Sequence, residues 1–183
     1  GTAVLNSERG DAMVQGIDWH YLSGKGGLKI DGQVMSSDID RVNERGYGGF
    51  LDFEMFYGDG IRHRLGLEYF DEHIDINDLG FLQRNDEYSV RSALTLTQSS
   101  LRRARANEFD LRGSLRKNVS ESLLIGAGVF VSNKTSLNDL SQITVRGAYA
   151  APQYDDLNSF GNGTYRIEPK LTASIQWQTD TTR

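Results

Sequence analysis

Apolar and polar residues alternate with a period of two along most of the chain, and a 3.6-residue period is scarce, which is the pattern of half-buried strands. Residues 61–70 place Ile61, His63, Leu65, Leu67 and Tyr69 on one parity and Arg62, Arg64 and Glu68 on the other. Residues 47–57 set Tyr47, Leu51, Phe53, Met55 and Tyr57 against Asp52 and Glu54. The same reading predicts strands over 28–36, 88–97, 108–116, 123–132, 142–149 and 171–178, with weaker ones at 12–22 and 164–168. Every charged residue of the clearer strands falls on the polar parity: Lys29, Asp31, Asp52, Glu54, Arg62, Arg64, Glu68, Arg91, Glu108, Asp110, Arg112, Arg116 and Arg146. Each strand therefore has one apolar and one charged face.

The connections carry a second pattern. Ser23–Gly27, Gly58–Gly60 and Glu168–Lys170 are predicted as tight hairpin connections, where glycine supplies positive φ or proline presets a turn. Long polar connections lie between them at 38–46, 71–87 and 150–163. Further short turns are expected at 99–107 and 133–136, with 117–122 on the long side although it is short. Alternating short and long connections are what an up-and-down barrel places at its two rims.

Composition sharpens this picture. The chain has 183 residues, a net charge of -5 and no cysteine, so disulfides, thiolate metal sites and a cysteine nucleophile are excluded. No Lys/Arg stripe stands clear of carboxylates, and nucleic acid is not an expected partner. No apolar run approaches the length of a transmembrane helix, and mean hydropathy is -0.49. A transmembrane strand needs only about 9–11 residues with alternate positions apolar, so that hydropathy is compatible with a bilayer. The expected fold is all-β, an antiparallel up-and-down transmembrane β-barrel segment of about ten strands. A soluble β-sandwich, with one face on a core and one in water, also alternates and stays open on pattern alone.

In the barrel reading the charged parity is lumen-lining: Lys29, Asp31, Asp52, Glu54, Arg62, Arg64, Glu68, Arg91, Asp110, Arg112, Arg116 and Arg146. Unpaired buried charge is costly, so these residues must pair across strands or meet water. Asp52 and Glu54 are expected opposite Arg62 and Arg64 across the Gly58–Gly60 turn. Trp19, Tyr21, Tyr47, Tyr57, Tyr69, Tyr88 and Trp177 are candidates for membrane-interface aromatics, and His63 fits the headgroup level. His73, among Asp71, Glu72 and Asp75, could form a water-activating dyad. No nucleophile or third orienting group accompanies it, and no catalytic residue is assigned. Asp38 with Asp40, Asp75 with Asp78, and Asp155 with Asp156 offer oxygen ligands without calcium-loop spacing, so neither metal nor cofactor is expected. Asp155 and Asp156 are expected to cap a turn or pin their loop through Arg166 or a backbone N–H.

Beyond these patterns, DWHYLSGKGGLKIDGQVMSSDID, the segment IRHRLGLEYFDEHIDINDLGFLQRNDEY, and APQYDDLNSFGNGTYR followed by LTASIQWQTDTTR resemble a family of bacterial outer-membrane β-barrels known only as a domain of unknown function. The resemblance runs over residues 12–183. Its motif loops map to Asn77, Asp78, Gly80, Phe81 and Arg84, and to Tyr154, Asp155 and Asp156 with Gly161 and Gly163. In that family the barrel usually follows an N-terminal module similar to family 9 carbohydrate-binding domains. The resemblance implies residence in the outer membrane, contact with its lipid and lipopolysaccharide, and non-enzymatic passage or surface handling of a solute such as a carbohydrate, alone or with other subunits of an envelope complex. It also implies that residues 1–183 are one internal segment of a longer barrel, since the chain starts in mid-pattern and ends at Arg183 without a terminal aromatic. Two alternatives stand beside this: a soluble glycan-binding sandwich, and a barrel hydrolase using the loop dyad at His73.

Overall fold

The computed structural model describes residues 2–4, 12–39, 44–76, 82, 84–158 and 163–179. Its strands are β1 (Thr2–Val4), β2 (Ala12–Leu22), β3 (Leu28–Ile39), β4 (Arg45–Gly58), β5 (Ile61–Phe70), β6 (Glu87–Ser99), β7 (Ala104–Asn118), β8 (Leu124–Leu137), β9 (Gln142–Ala150), β10 (Gln153–Asp155), β11 (Tyr165–Ile167) and β12 (Lys170–Gln178). No helix occurs among the described residues.

Nine of these strands follow one another in an antiparallel meander from β1 to β9, and β12 adds beside β9 to complete a ten-stranded sheet. The sheet is not closed, because β1 and β12 each pair with a single neighbour. The barrel expected from the pattern is therefore present as an open up-and-down sheet. Hydrogen bonding between consecutive strands dictates this much; no pairing joins the two edge strands.

Two turns differ from expectation. Residues 133–136 belong to β8 rather than to a turn, because Asn133 and Thr135 bond Asn107 across the strand pair. The reversal comes later, where Leu140 takes a positive φ and Asp139 accepts from both the backbone N–H and the hydroxyl of Ser141. Glu168–Lys170 does not close a hairpin either. The strand before it, β11, pairs with β10 in a separate ribbon, so the predicted strand at 164–168 stands outside the main sheet. With these corrections, the connections at one rim (23–27, 59–60, 100–103 and 138–141) are all tight, and the long ones gather at the other. On that rim the connections after β3 and β7 are the short ones, and 38–39 and 45–46 of the predicted long connection belong to β3 and β4.

Burial is inverted relative to a water-soluble core. The only buried apolar side chains among the described residues are Ile74, Ala104 and Ile125, whereas Ser37, Ser89, Asp110, Asn118, Ser141 and Thr144 are buried polar ones. Large apolar residues on the other face stand open: Ile17, Val34, Val129, Leu171 and Ile175 are at least half exposed. Apart from neighbours in the sheets, only β10 packs on another strand, β8. Among the described residues no second sheet covers the apolar face, as a sandwich would require.

Candidate functional site: a charged cavity within the curled sheet

Part of the charged parity lines a cavity of about 790 Å³. Its lining draws on β3, β4, β5, β6, β7, β8 and β9, which is possible only if the sheet curls around it. Lys29, Asp31, Asp52, Glu54, Arg64, Arg91 and Arg112 all face it. A second cavity, of about 540 Å³ toward the long-loop rim, takes Glu68 and Arg116 together with Arg84, Glu87, Tyr154, Asp155 and Asp156. A third, toward the tight-turn rim, takes Arg62 and Asp110 with Glu108. Arg146 lies apart and donates to Gln176 at 3.4 Å.

Neighbouring charges are mostly matched. Lys29 lies 2.7 Å from Asp31, whose other oxygen meets His20. Arg62 lies 3.6 Å from Glu54, a diagonal pair, since the residue in register with Glu54 is Arg64. Arg91 pairs with Glu68, which also accepts from Ser89 at 2.8 Å. Arg112 pairs with Asp110 and lies over the Phe130 ring, 5.6 Å from its centroid, within cation–π range. Asp52 faces Gly66 across the strands, not an arginine.

The long-loop rim is tied down by Asp71 in a structural role that the sequence did not indicate. Asp71 accepts from the backbone N–H groups of Tyr47, His73 and Ile74 at 2.7, 3.1 and 2.8 Å. That draws Ile74 inward, where it is 1% exposed, and the N–H of Asp75 donates to Ser37 at 3.0 Å. Gly46 and Gly48 make room: a Cβ at Gly46 would collide with the backbone of His73 and Ile74, and one at Gly48 with Phe70 and Ile74. The Gly-Tyr-Gly-Gly at the start of β4 is the signal that could have revealed this, since strand glycines mark close backbone approach. His73 meets Glu44 and lies 3.8 Å from Glu72. The Asp71 oxygens accept from backbone donors, and the carboxylate that His73 meets is that of Glu44.

Of the motif-loop residues, Asn77, Asp78, Gly80 and Phe81 lie outside the described residues, as do Asp40 and Gly161. Arg84 donates from Nη1 to Oδ1 of Asp156 at 2.8 Å and grips the other oxygen with Nη2. It also lies 3.5 Å from Glu87, and Asn118 donates to Asp156 at 3.3 Å. The partner of Asp156 is thus Arg84, not Arg166, which lies nearest Glu168. Asp155 caps its turn as expected, accepting from the N–H groups of Leu157 and Asn158, the Asn158 amide and the Tyr165 hydroxyl. Those donors, the Asn158 side chain foremost, hold its carboxyl down at about 2, and Arg84 lowers that of Asp156. Among the described residues no group of three His, Asp or Glu side chains could hold a metal.

The family follows from the whole chain. A family model described as Domain of unknown function (DUF5916) matches residues 2–182. The chain belongs to this family. No significant match exists among curated proteins or solved structures. For this DUF5916 chain, then, the apolar face completes the picture. Tyr69 and Tyr88 are in register toward the long-loop rim, where Tyr47 also lies, while Tyr21, Tyr57 and Trp177 sit near the tight-turn ends of their strands. Trp19 lies mid-strand, its indole over Gly32. Toward the tight turns the apolar face stops at a polar row, Gln98 in register with Asn107 and Asn107 with Thr135. His63 and Ser92 satisfy each other on this face at 2.8 Å.

Proposed function

We propose that this chain is part of a transmembrane β-barrel of the bacterial outer membrane, that its charged face lines a hydrated passage for a small polar solute, and that it catalyses no reaction. The observation that carries the reading is the inversion of burial: the enclosed face is ionic and the open face apolar. A sheet in water cannot hold that arrangement cheaply, since about 25 cal/mol is lost for each Å² of apolar surface left in water. In a bilayer the same face is the favoured one.

Dimensions agree. From Tyr88 to Gln98 the strand β6 rises roughly 34 Å at ~3.4 Å per residue, or about 26 Å along the normal at a tilt near 40°, close to the apolar band of about 25 Å in such barrels. Tyrosines at one border and an Asn/Gln/Thr row at the other suit the two interfaces. The resemblance to outer-membrane barrels adds a carbohydrate-binding-like module in the complete protein, lipopolysaccharide as a neighbour and further envelope subunits as partners.

The test is folding of the full chain with and without an amphiphile. Detergent micelles or liposomes are expected to yield a heat-modifiable β-structured species and plain buffer only aggregate. Stable folding as a monomer in plain buffer would overturn the membrane reading. Planar-bilayer conductance in KCl tests passage separately.

A further inference from the structure

Most described arginines meet a carboxylate or amide oxygen, as Arg84, Arg91, Arg112 and Arg146 do. Among the described residues Arg102, Arg103 and Arg105 make no ion pair or side-chain hydrogen bond; the other such arginine is Arg64, inside the cavity. All three are exposed, on or beside the tight connection 100–103 between β6 and β7. The turn is closed by the Ser100 N–H, which donates to the Arg105 carbonyl at 2.8 Å, with Ser100 at a φ of 59°. Arginine stays ionised, so a closed turn holding three of them carries a concentrated positive charge that it cannot shed. The flanking tight turns offer Asp59 and Asp139, and the Asp139 carboxylate already accepts from the backbone N–H and hydroxyl of Ser141.

We propose that this turn is a docking surface for the headgroup phosphates of an anionic phospholipid, on the reading that the apolar face lies in a membrane. The apolar face ends toward the tight turns at the row Gln98, Asn107 and Thr135, and the connection begins at Ser100, just beyond Gln98. At ~3.4 Å per residue and a tilt near 40°, that step is about 5 Å along the membrane normal. The headgroup layer reaches roughly 5–8 Å beyond the hydrocarbon, so the three guanidiniums fall at the level of the phosphates. A guanidinium takes phosphate oxygens through two parallel N–H donors. Leu101, 37% exposed beside Arg102, gives the same turn an apolar contact with the outer end of the acyl layer. A zwitterionic lipid also carries a phosphate, but its ammonium group cancels the charge, so a preference for the net-negative lipid is the property that marks the site.

The test is equilibrium binding of fluorescent phosphatidylglycerol to the full chain folded in neutral detergent micelles, compared with the phosphatidylcholine analogue. Phosphatidylglycerol is expected to bind about tenfold tighter or more, and about 0.5 M KCl to shrink that margin by screening. Arg102→Gln, Arg103→Gln and Arg105→Gln should each weaken phosphatidylglycerol binding about fivefold, and the triple variant should show no preference. Arg166→Gln, at the long-loop rim, should bind like the wild type. Circular dichroism of each variant checks that it is folded. Equal affinity for the two lipids, or a triple variant that keeps the preference, would overturn the site. Displacement of the lipid by inorganic phosphate would overturn it too, in favour of a free-anion site. Insertion into phosphatidylcholine liposomes separates this from the membrane reading: a chain that inserts there without headgroup preference loses the site and keeps its membrane, and one that folds only in plain buffer loses both.

Discussion

The guanidinium of Arg84 holds both carboxylate oxygens of Asp156, a residue 72 positions later in the chain. Both side chains are only 14% exposed. This one pair fastens the connection before β6 to the excursion between β9 and β12.

Arg84→Ala and Asp156→Asn are each expected to destabilise the long-loop rim by about 1–3 kcal/mol, between the values for exposed and buried ion pairs. Hydrogen exchange should rise at residues 84–87 and 151–157 while the strands stay protected. Unchanged exchange in both variants would mean that the pair does not hold the rim.

Gly46→Val should expel the inward turn at Ile74, because the new side chain needs the space of the His73 and Ile74 backbone. A cost of about 1–3 kcal/mol is typical of such overpacking. Gly24→Ala is the control, since nothing lies within 4 Å of its added Cβ. Denaturant unfolding in detergent compares the two, and equal midpoints would contradict the packing described.

Acid should release the ribbon of β10 and β11. The Asp155 carboxyl is lowered in the folded chain to about 2 from 3.8. A depressed folded value means the stabilisation is complete above the unfolded value and fades as pH falls from near 3.8 toward 2. Proteolysis by pepsin at residues 153–167 should rise over that window, and Asp155→Asn should raise cleavage at pH 5 while flattening the acid dependence. A wild-type profile in that variant would rule out Asp155 as the cause.

Leu111→Arg and Val131→Arg place a cation on the apolar face of β7 and β8. At mid-bilayer each should cost about 2–4 kcal/mol, against less than about 0.5 kcal/mol for a substitution on a wetted surface. Reversible urea unfolding in liposomes measures this, and a cost below 0.5 kcal/mol for both would contradict a lipid-facing position.

Much of this architecture was legible in the alternation. Ile61 to Tyr69 and Leu28 to Val34 keep strict parity because each strand meets two unlike environments, and β5 begins and ends as the pattern predicts. Legibility failed at the rims. Asn133, Lys134 and Thr135 are polar on both parities, so the period vanishes although the ladder continues to Leu137. Tyr165–Ile167 alternates but pairs locally with Gln153–Asp155, a choice of partner that parity does not record. The Arg84–Asp156 clasp and the seat of Ile74 depend on contacts between distant connections, which no local period records. The charged wall was legible as a set, but which members are left without partners was not. Pairing depends on register, and register places Gly66, not an arginine, opposite Asp52.

The alternation also divides the chain's information between two interleaved sets of positions. Outward residues specify where the strand can reside; inward residues specify what the cavity can hold, and almost no position serves both. Inward substitutions such as those at Asp52 or Arg64 can therefore retune chemistry without rewriting the fold. The vulnerability lies elsewhere: deleting a single residue within a strand exchanges the two sets beyond that point and turns every arginine toward the apolar side.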